Sequence, residues 1–414
     1  MSRRLAPTLA LLLLTLLTAY SAAEKPQWPQ WRGPDRDGRV AGDKWPDRID
    51  EKHFQELWKT DLGPSYSGPI VADGLVFTTA TVDQAREVVK AFQADSGELV
   101  WETSWKGAMK VPFFAASNGS WIRSTPAWDD HRLYVAGMRD VLVCLDARTG
   151  KTIWKADFVE QLKTALPSFG FVCSPLVWKD HVYVQAGGAF LKLDKKTGKL
   201  VWRSLADKGG MWGSAFSSPV AVELGGKPQL LVQTRQELAG VDPEDGKKLW
   251  SEKIKAFRGM NILTPTVYDG GIFTSSYGGG SLMLKVDAEN SWKTSRPWEK
   301  NTQGYMSSPV VVDGHAYLHL RNQRFTCIDL KTGEVKWTTS PFGKYWSMAV
   351  QGKRMLALDE RGDLLLIQAN PEKFELVDRR KISDQPSWAH IAVAGDTVYV
   401  RGLKRLTAYR WKAK

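Results

Sequence analysis

Apolar and polar positions in this chain alternate in short runs, and after residue 24 no stretch settles into a sustained helical period. The runs come in sets. PIVADG (69–74), PAWDDH (126–131), PLVWKD (175–180), PTVYDG (265–270) and PVVVDG (309–314) each open one, followed by LVFTT, RLYVAG, HVYVQAG, GIFTSS and HAYLHL. DG-type pairs between period-two runs read as tight turns, so each couple predicts an antiparallel hairpin. A third strand ends in an aspartate phrase, and after a glycine turn a fourth carries tryptophan. The phrase reads FQADSGELVW (92–101), LDARTGKTIW (145–154), LDKKTGKLVW (193–202), VDPEDGKKLW (241–250) and IDLKTGEVKW (328–337).

A unit returning every roughly 40–50 residues marks a propeller or solenoid, because each unit must stack on its neighbours to bury its faces. The landmarks are Trp58, Trp101, Trp154, Trp202, Trp250, Trp292 or Trp298, Trp337, the degenerate FELVD at 374–378, and Trp411; nine of them bracket eight units. The last unit, up to Trp411, holds only three strands, and ELWKTDL at 56–62 is available as its fourth. Joining the two would remove the free sheet edges of an open array. The prediction is therefore an all-β, eight-bladed β-propeller, closed by N- and C-terminal strands and girdled by docking tryptophans. Seven blades is the rival count, since units five and seven are eroded.

Three divisions follow. Residues 1–23 have the form of an export signal: Arg3 and Arg4, an apolar stretch from Leu9 to Leu17, and Ser21-Ala22-Ala23 before Glu24. No cysteine stands at that cleavage site, so no lipid anchor is expected, and no later stretch reaches transmembrane length. Residues 24–50, with QWPQWRGPDRDGR, predict an irregular segment lying on the domain, and 51–414 the propeller. Cys144, Cys173 and Cys327 are an odd set with no disulfide framework. The formal charge of +12 favours anionic surfaces or partners without choosing among them. Nucleic acid is not expected, because no binding motif accompanies the charge.

The repeated A-x-T-G-K-x-x-W after an apolar strand ending in Asp resembles the pyrroloquinoline-quinone (PQQ) repeat with its tryptophan-docking motif, over about residues 54–411. The opening QWPQWRGPDRDG is similar to that of secreted PQQ-like propellers of planctomycete type. The resemblance implies the propeller and two functional branches, BamB-type periplasmic scaffolds and quinoprotein dehydrogenases. It further implies, for the larger dehydrogenases, adjacent cysteines over the quinone and a Ca²⁺ held by Glu, Asn and Asp. The three cysteines here are nowhere adjacent, and the segments between blades contain almost no acids.

Those inter-blade segments are GPSYSG (63–68), NGSWIRST (118–125), PSFGFVCS (167–174), MWGSAFSS (211–218), FRGMNILT (257–264), TQGYMSS (302–308), FGKYWS (342–347) and QPSWAH (385–390). In a propeller they share one face, which places Tyr66, Trp121, Phe169, Trp212, Phe257, Tyr305, Tyr345, Trp346 and Trp388 toward a central funnel, with His390 pointing in beside Trp388. Arg123 and Arg258 come from the same segments; Arg86, Arg139, Arg235, Arg321 and Arg361 come from hairpins on that face. Aromatic rings and guanidinium forks together suit carboxylates or a negatively charged surface. No residue is assigned to catalysis or to a metal. The expectation is an exported monomeric scaffold that binds a protein partner or an anionic ligand and needs no cofactor. The alternative is a PQQ-dependent oxidoreductase of alcohols or sugars.

Overall fold

The computed structural model describes residues 26–42, 44–213 and 215–412, so the expected signal at 1–23 lies outside the described residues. Thirty-two strands pair into eight four-stranded antiparallel sheets. Seven sheets use consecutive strands, and the eighth joins Phe54–Asp61 to Arg405–Trp411, with Phe54 opposite Trp411 and Asp61 opposite Arg405. The fold is the eight-bladed propeller with the expected closure. The innermost strands of blades one to eight are Ile70–Ala72, Ala127–Asp129, Leu176–Trp178, Val220–Leu224, Thr266–Tyr268, Val310–Val312, Trp346–Gln351 and Ala392–Ala394.

The aspartate phrase works as a turn device. Asp146 Oδ1 accepts from the backbone N–H of Arg148 and Thr149 and from the Thr149 hydroxyl, which holds the chain in a tight loop. Gly150 then takes φ +71°, and a Cβ there would stand 2.5 Å from the Trp101 ring. The indole of the preceding blade therefore lies flat on the turn, its Nε1 donating to Ala147 O at 2.9 Å. Trp58, Trp154, Trp202 and Trp298 dock in the same way on Ala94, Lys195, Pro243 and Leu330, and Trp337 docks on Asn370. The girdle is less regular than one tryptophan per junction. Trp250 turns back into its own sheet and donates to Gln229 Oε1 at 2.8 Å, because Gly240 leaves room for the ring. Trp411 lies on a third strand, donates to Arg48 O and stacks on Trp45 at 5.5 Å.

The N-terminal segment is inserted rather than laid on the surface. It is irregular, but Trp28, Arg32 and Arg36 are buried. Trp28 pairs with Val71 of blade one, and Pro29 O accepts from Trp128 N of blade two. Arg36 Nη1 donates to Pro175 O at 2.8 Å and Nη2 to Ser174 O at 3.0 Å, at the start of blade three. Trp31 Nε1 donates to Thr264 Oγ1 beside blade five, and Arg32 reaches Pro309 O beside blade six. Arg39 donates to Val311 O of blade six, and Val40 N to Val350 O of blade seven. Inner strands are sheet edges facing the axis, with backbone carbonyls that need donors. The segment supplies them and plugs the axis.

Candidate functional site

The plug makes the axis a blind chamber of about 690 Å³ that opens on the face bearing the inter-blade segments. Trp31 lines it from the plug. Around it runs a collar of rings. Tyr277, Tyr305, Tyr345, Trp388 and Tyr66 follow one another with centroids 5.6, 6.2, 4.4 and 4.5 Å apart. The Tyr66 hydroxyl donates to Asn118 O in the short 3₁₀ turn Phe113–Asn118, which brings Phe114 to the wall. Phe114, Phe169 and Phe216 continue the circle at 6.2 and 5.7 Å. Arg235 lies 4.8 Å over Phe216, and its Nη2 donates to Arg258 O at 2.6 Å. The Arg258 guanidinium stands 5.2 Å over Phe257, which meets Tyr277 at 4.9 Å and closes the circle.

Among the described residues three arginines line the chamber, and no carboxylate does. Arg123 stands 5.9 Å over Tyr66 and donates to Trp121 O and Gly119 O. Burial lowers its pKa to about 10, so it remains charged at neutral pH. Arg235 is 8 % exposed, caged by Phe169, Trp212 and Phe216, and its Nη atoms hold the carbonyls of Met211, Gly213 and Arg258. Burial lowers its pKa as well. Tyr66 and Tyr305 are pushed up, chiefly by desolvation.

Of the residues singled out in the sequence, Tyr66, Arg123, Phe169, Trp212, Arg235, Arg258, Tyr305, Tyr345 and Trp388 line this chamber. Others do not. Trp346 is buried in the core and donates to Asp359 Oδ2 at 3.0 Å; its neighbour Tyr345 takes the outward face. His390 is buried beneath Trp28 and Trp31, hydrogen-bonded to Ile391 O, and desolvation lowers its pKa to about 3. Trp121 is half-buried against Gly119, outside the lining. Arg86 pairs with Asp83 at 3.4 Å, Arg139 is exposed on its hairpin, and Arg361 donates to Phe342 O. Arg321 lies 4.1 Å over Tyr277, just outside the collar. Trp31, Phe114, Phe216, Met211, Met260, Ile262 and Met306 line the chamber without having been singled out. Five of these stand in the quoted inter-blade segments: Met211, Met260, Ile262 and Met306 are apolar non-aromatic positions, and Phe216 is a second ring in the segment that carries Trp212.

Two buried carboxylates latch blades on this face. Glu87 Oε1 accepts from Met138 N, and Asp140 Oδ2 accepts from Gly187 N at 2.8 Å. Desolvation pushes each pKa up to about 7. Neither faces the chamber. Among the described residues no three His, Cys, Asp or Glu side chains gather as for a metal ion. A quinone seated on Ca²⁺ does not fit this lining, since the cation is held by several oxygen donors with carboxylates among them, and the described walls offer three guanidinium groups, rings and thioethers with only the neutral oxygens of Asn118, Ser174, Ser218 and the tyrosines. Cys144, Cys173 and Cys327 are free, buried and apart.

Fold and chamber together define a PQQ-repeat propeller with a plugged axis. The family model described as "Outer membrane protein assembly factor BamB" matches residues 85–339, more than half of the chain, and the chain belongs to that family. It is similar to the outer membrane protein assembly factor BamB of Yersinia pestis, 24 % identical over 59 % of this chain and 63 % of the relative. It is also similar to the quinohemoprotein alcohol dehydrogenase ADH IIB of Pseudomonas putida, 30 % identical over 38 % of this chain and 23 % of that enzyme. The matches thus span under two thirds of these relatives' length. Among solved structures, BamB from Moraxella catarrhalis superposes with a TM-score of 0.61 at 15 % identity, covering 87 % of this chain and 98 % of that one. A europium-containing methanol dehydrogenase gives 0.55 at 12 % identity, covering 94 % and 98 %. The fold is shared by scaffolds and dehydrogenases alike.

Proposed function

We propose that this protein is an exported, non-catalytic binding scaffold whose collared chamber receives part of a protein partner. The observation that carries this reading is the chamber lining: among the described residues it holds apolar rings and three arginines and no carboxylate. Such a surface suits recognition and lacks the acid–base or metal chemistry that turnover would require. Relatives named as outer membrane assembly factors support a periplasmic setting and a role beside other envelope proteins. The dehydrogenase reading has weaker support, because the matching enzymes share the fold while the described lining of the chamber offers the cation no carboxylate.

The test is site-specific photo-crosslinking in cells exporting the protein, with a benzophenone amino acid at position 212 or, on the opposite face, at position 199. A discrete protein adduct from position 212 and none from position 199 is the expected result. Equal adducts from both positions, or PQQ- and Ca²⁺-dependent dye reduction with alcohols, would overturn it.

A further inference from the structure

Charge and apolar surface meet at the chamber, where Arg123, Arg235 and Arg258 stand among rings. Several arginines elsewhere on the propeller are already neutralised: Arg296 with Glu252, Arg379 with Asp363, Arg405 with Asp61 and Arg410 with Asp95 lie at 2.6–2.9 Å. Arg123, Arg235 and Arg258 have no such ion pair among the described residues. Arg235 is more than nine-tenths buried, faces the chamber, and its Nε has no hydrogen-bond partner. A desolvated guanidinium of this kind gains most from an incoming carboxylate, whose geometry matches its fork.

The walls say what must accompany that carboxylate. Rings in offset or edge-on arrangements accept a further ring, and the thioethers of Met211, Met260 and Met306 adapt to its shape. The apolar surface does not stop at the chamber. Phe113 is 91 % exposed and Phe257 44 %, and both stand on the collar outside the cavity, with exposed Arg321 and Arg361 beyond. A small molecule seated in about 690 Å³ would leave these uncovered. An extended chain that leaves the chamber across the collar would cover them.

Resting on the scaffold reading above, we propose that the chamber selects an extended peptide segment in which acidic residues alternate with aromatic ones. Its aromatic side chains enter among Trp212, Phe216 and Trp388, and its carboxylates meet Arg235 and Arg258 inside and the outer arginines along the collar.

Fluorescence anisotropy of the purified full protein tests this with labelled dodecapeptides alternating Asp or Glu with Phe or Trp. Two controls replace either the acids by Lys or the aromatics by Ser. The acidic–aromatic peptide is expected to bind at least about tenfold more tightly than either control, with affinity falling as KCl rises. Trp212→Ala and Arg258→Gln, both exposed changes checked by thermal melts, should each weaken it about five- to tenfold. Equal affinity for the lysine peptide, or unchanged affinity in both variants, would overturn the proposal. So would tighter binding of 2-naphthoate, a small aromatic acid, or of oligo(dT), a stacking polyanion. If peptides fail while position 212 still crosslinks to a protein, this ligand class falls and the scaffold reading stands. If peptides bind but no adduct forms, the reverse holds.

Discussion

Two groups of arginines stand on the propeller axis, and they do opposite things with the same side chain. In the plug, Arg32, Arg36 and Arg39 give Nη donors to the carbonyls of Pro309, Pro175, Ser174 and Val311. At the chamber, the Arg258 side chain is exposed and has no carboxylate partner among the described residues. Burial lowers Arg32 to about 10 and Arg36 to about 9, so both stay charged at neutral pH, and the carbonyls must stabilise that charge. The difference teaches that an arginine's role follows from what fills its donors. Carbonyls of an edge strand make it a structural tie, while open donors beside rings leave it available to the anionic ligand proposed for the chamber.

The sharpest way to break this comparison is Arg36→Ala. It strands the Ser174 and Pro175 carbonyls in a buried site and leaves a void, so unfolding in guanidinium should show a loss of at least about 3 kcal/mol. A loss no larger than that of a surface substitution would mean the plug is a passenger. Arg401 refines the distinction. It lies on the last hairpin, yet it is fully buried and donates to Gly63 O and Thr79 O at the ring closure. It should therefore behave like a plug arginine, with Arg401→Met costing about 2–3 kcal/mol by the same measurement.

The carboxylates allow a parallel contrast. Asp140 is pushed up to about 7 by desolvation, with Asp207 and Asp157 adding like charge. Its unfolded value is about 3.9. Between those values the unfolded chain has released its proton while the folded state retains it, so stability falls as pH rises through that window and stays lower above it. Asp140→Asn keeps an acceptor for Gly187 N and removes the charge. Its advantage over the parent in unfolding free energy, read from guanidinium melts, should grow by on the order of 2 kcal/mol between pH 5 and pH 8. A constant gap across pH would show that Asp140 does not titrate there. The smallest expected effect is Arg258→Gln, which should change stability by less than about 0.5 kcal/mol, as surface substitutions do. A larger loss would move Arg258 into the structural group.

The strand pattern and the eight units were legible because each depends on neighbours in sequence, and the closure because the last unit lacked a fourth strand while 56–62 was left over as a spare one. Period-two alternation and the Asp-to-Gly turn are local chemistry repeated many times. Much of the collar was legible too, since every inter-blade segment carries a ring. What failed was depth and side. Tyr345 and Trp346 are adjacent and take opposite faces, and His390 shares its segment with Trp388 but lies beneath the plug.

The sequence alone determined that eight sheets would form, how they would be pinned by indoles over glycine turns, and that the two ends of the propeller would share a blade. Only the tertiary structure decided that residues 26–42 thread the axis, and which arginines would be consumed there. Arg36 and Pro175 are 139 positions apart, and Arg32 and Pro309 are 277 apart. No local pattern encodes such pairs, because the carbonyls that claim these donors exist as a ring only once all the blades have come together.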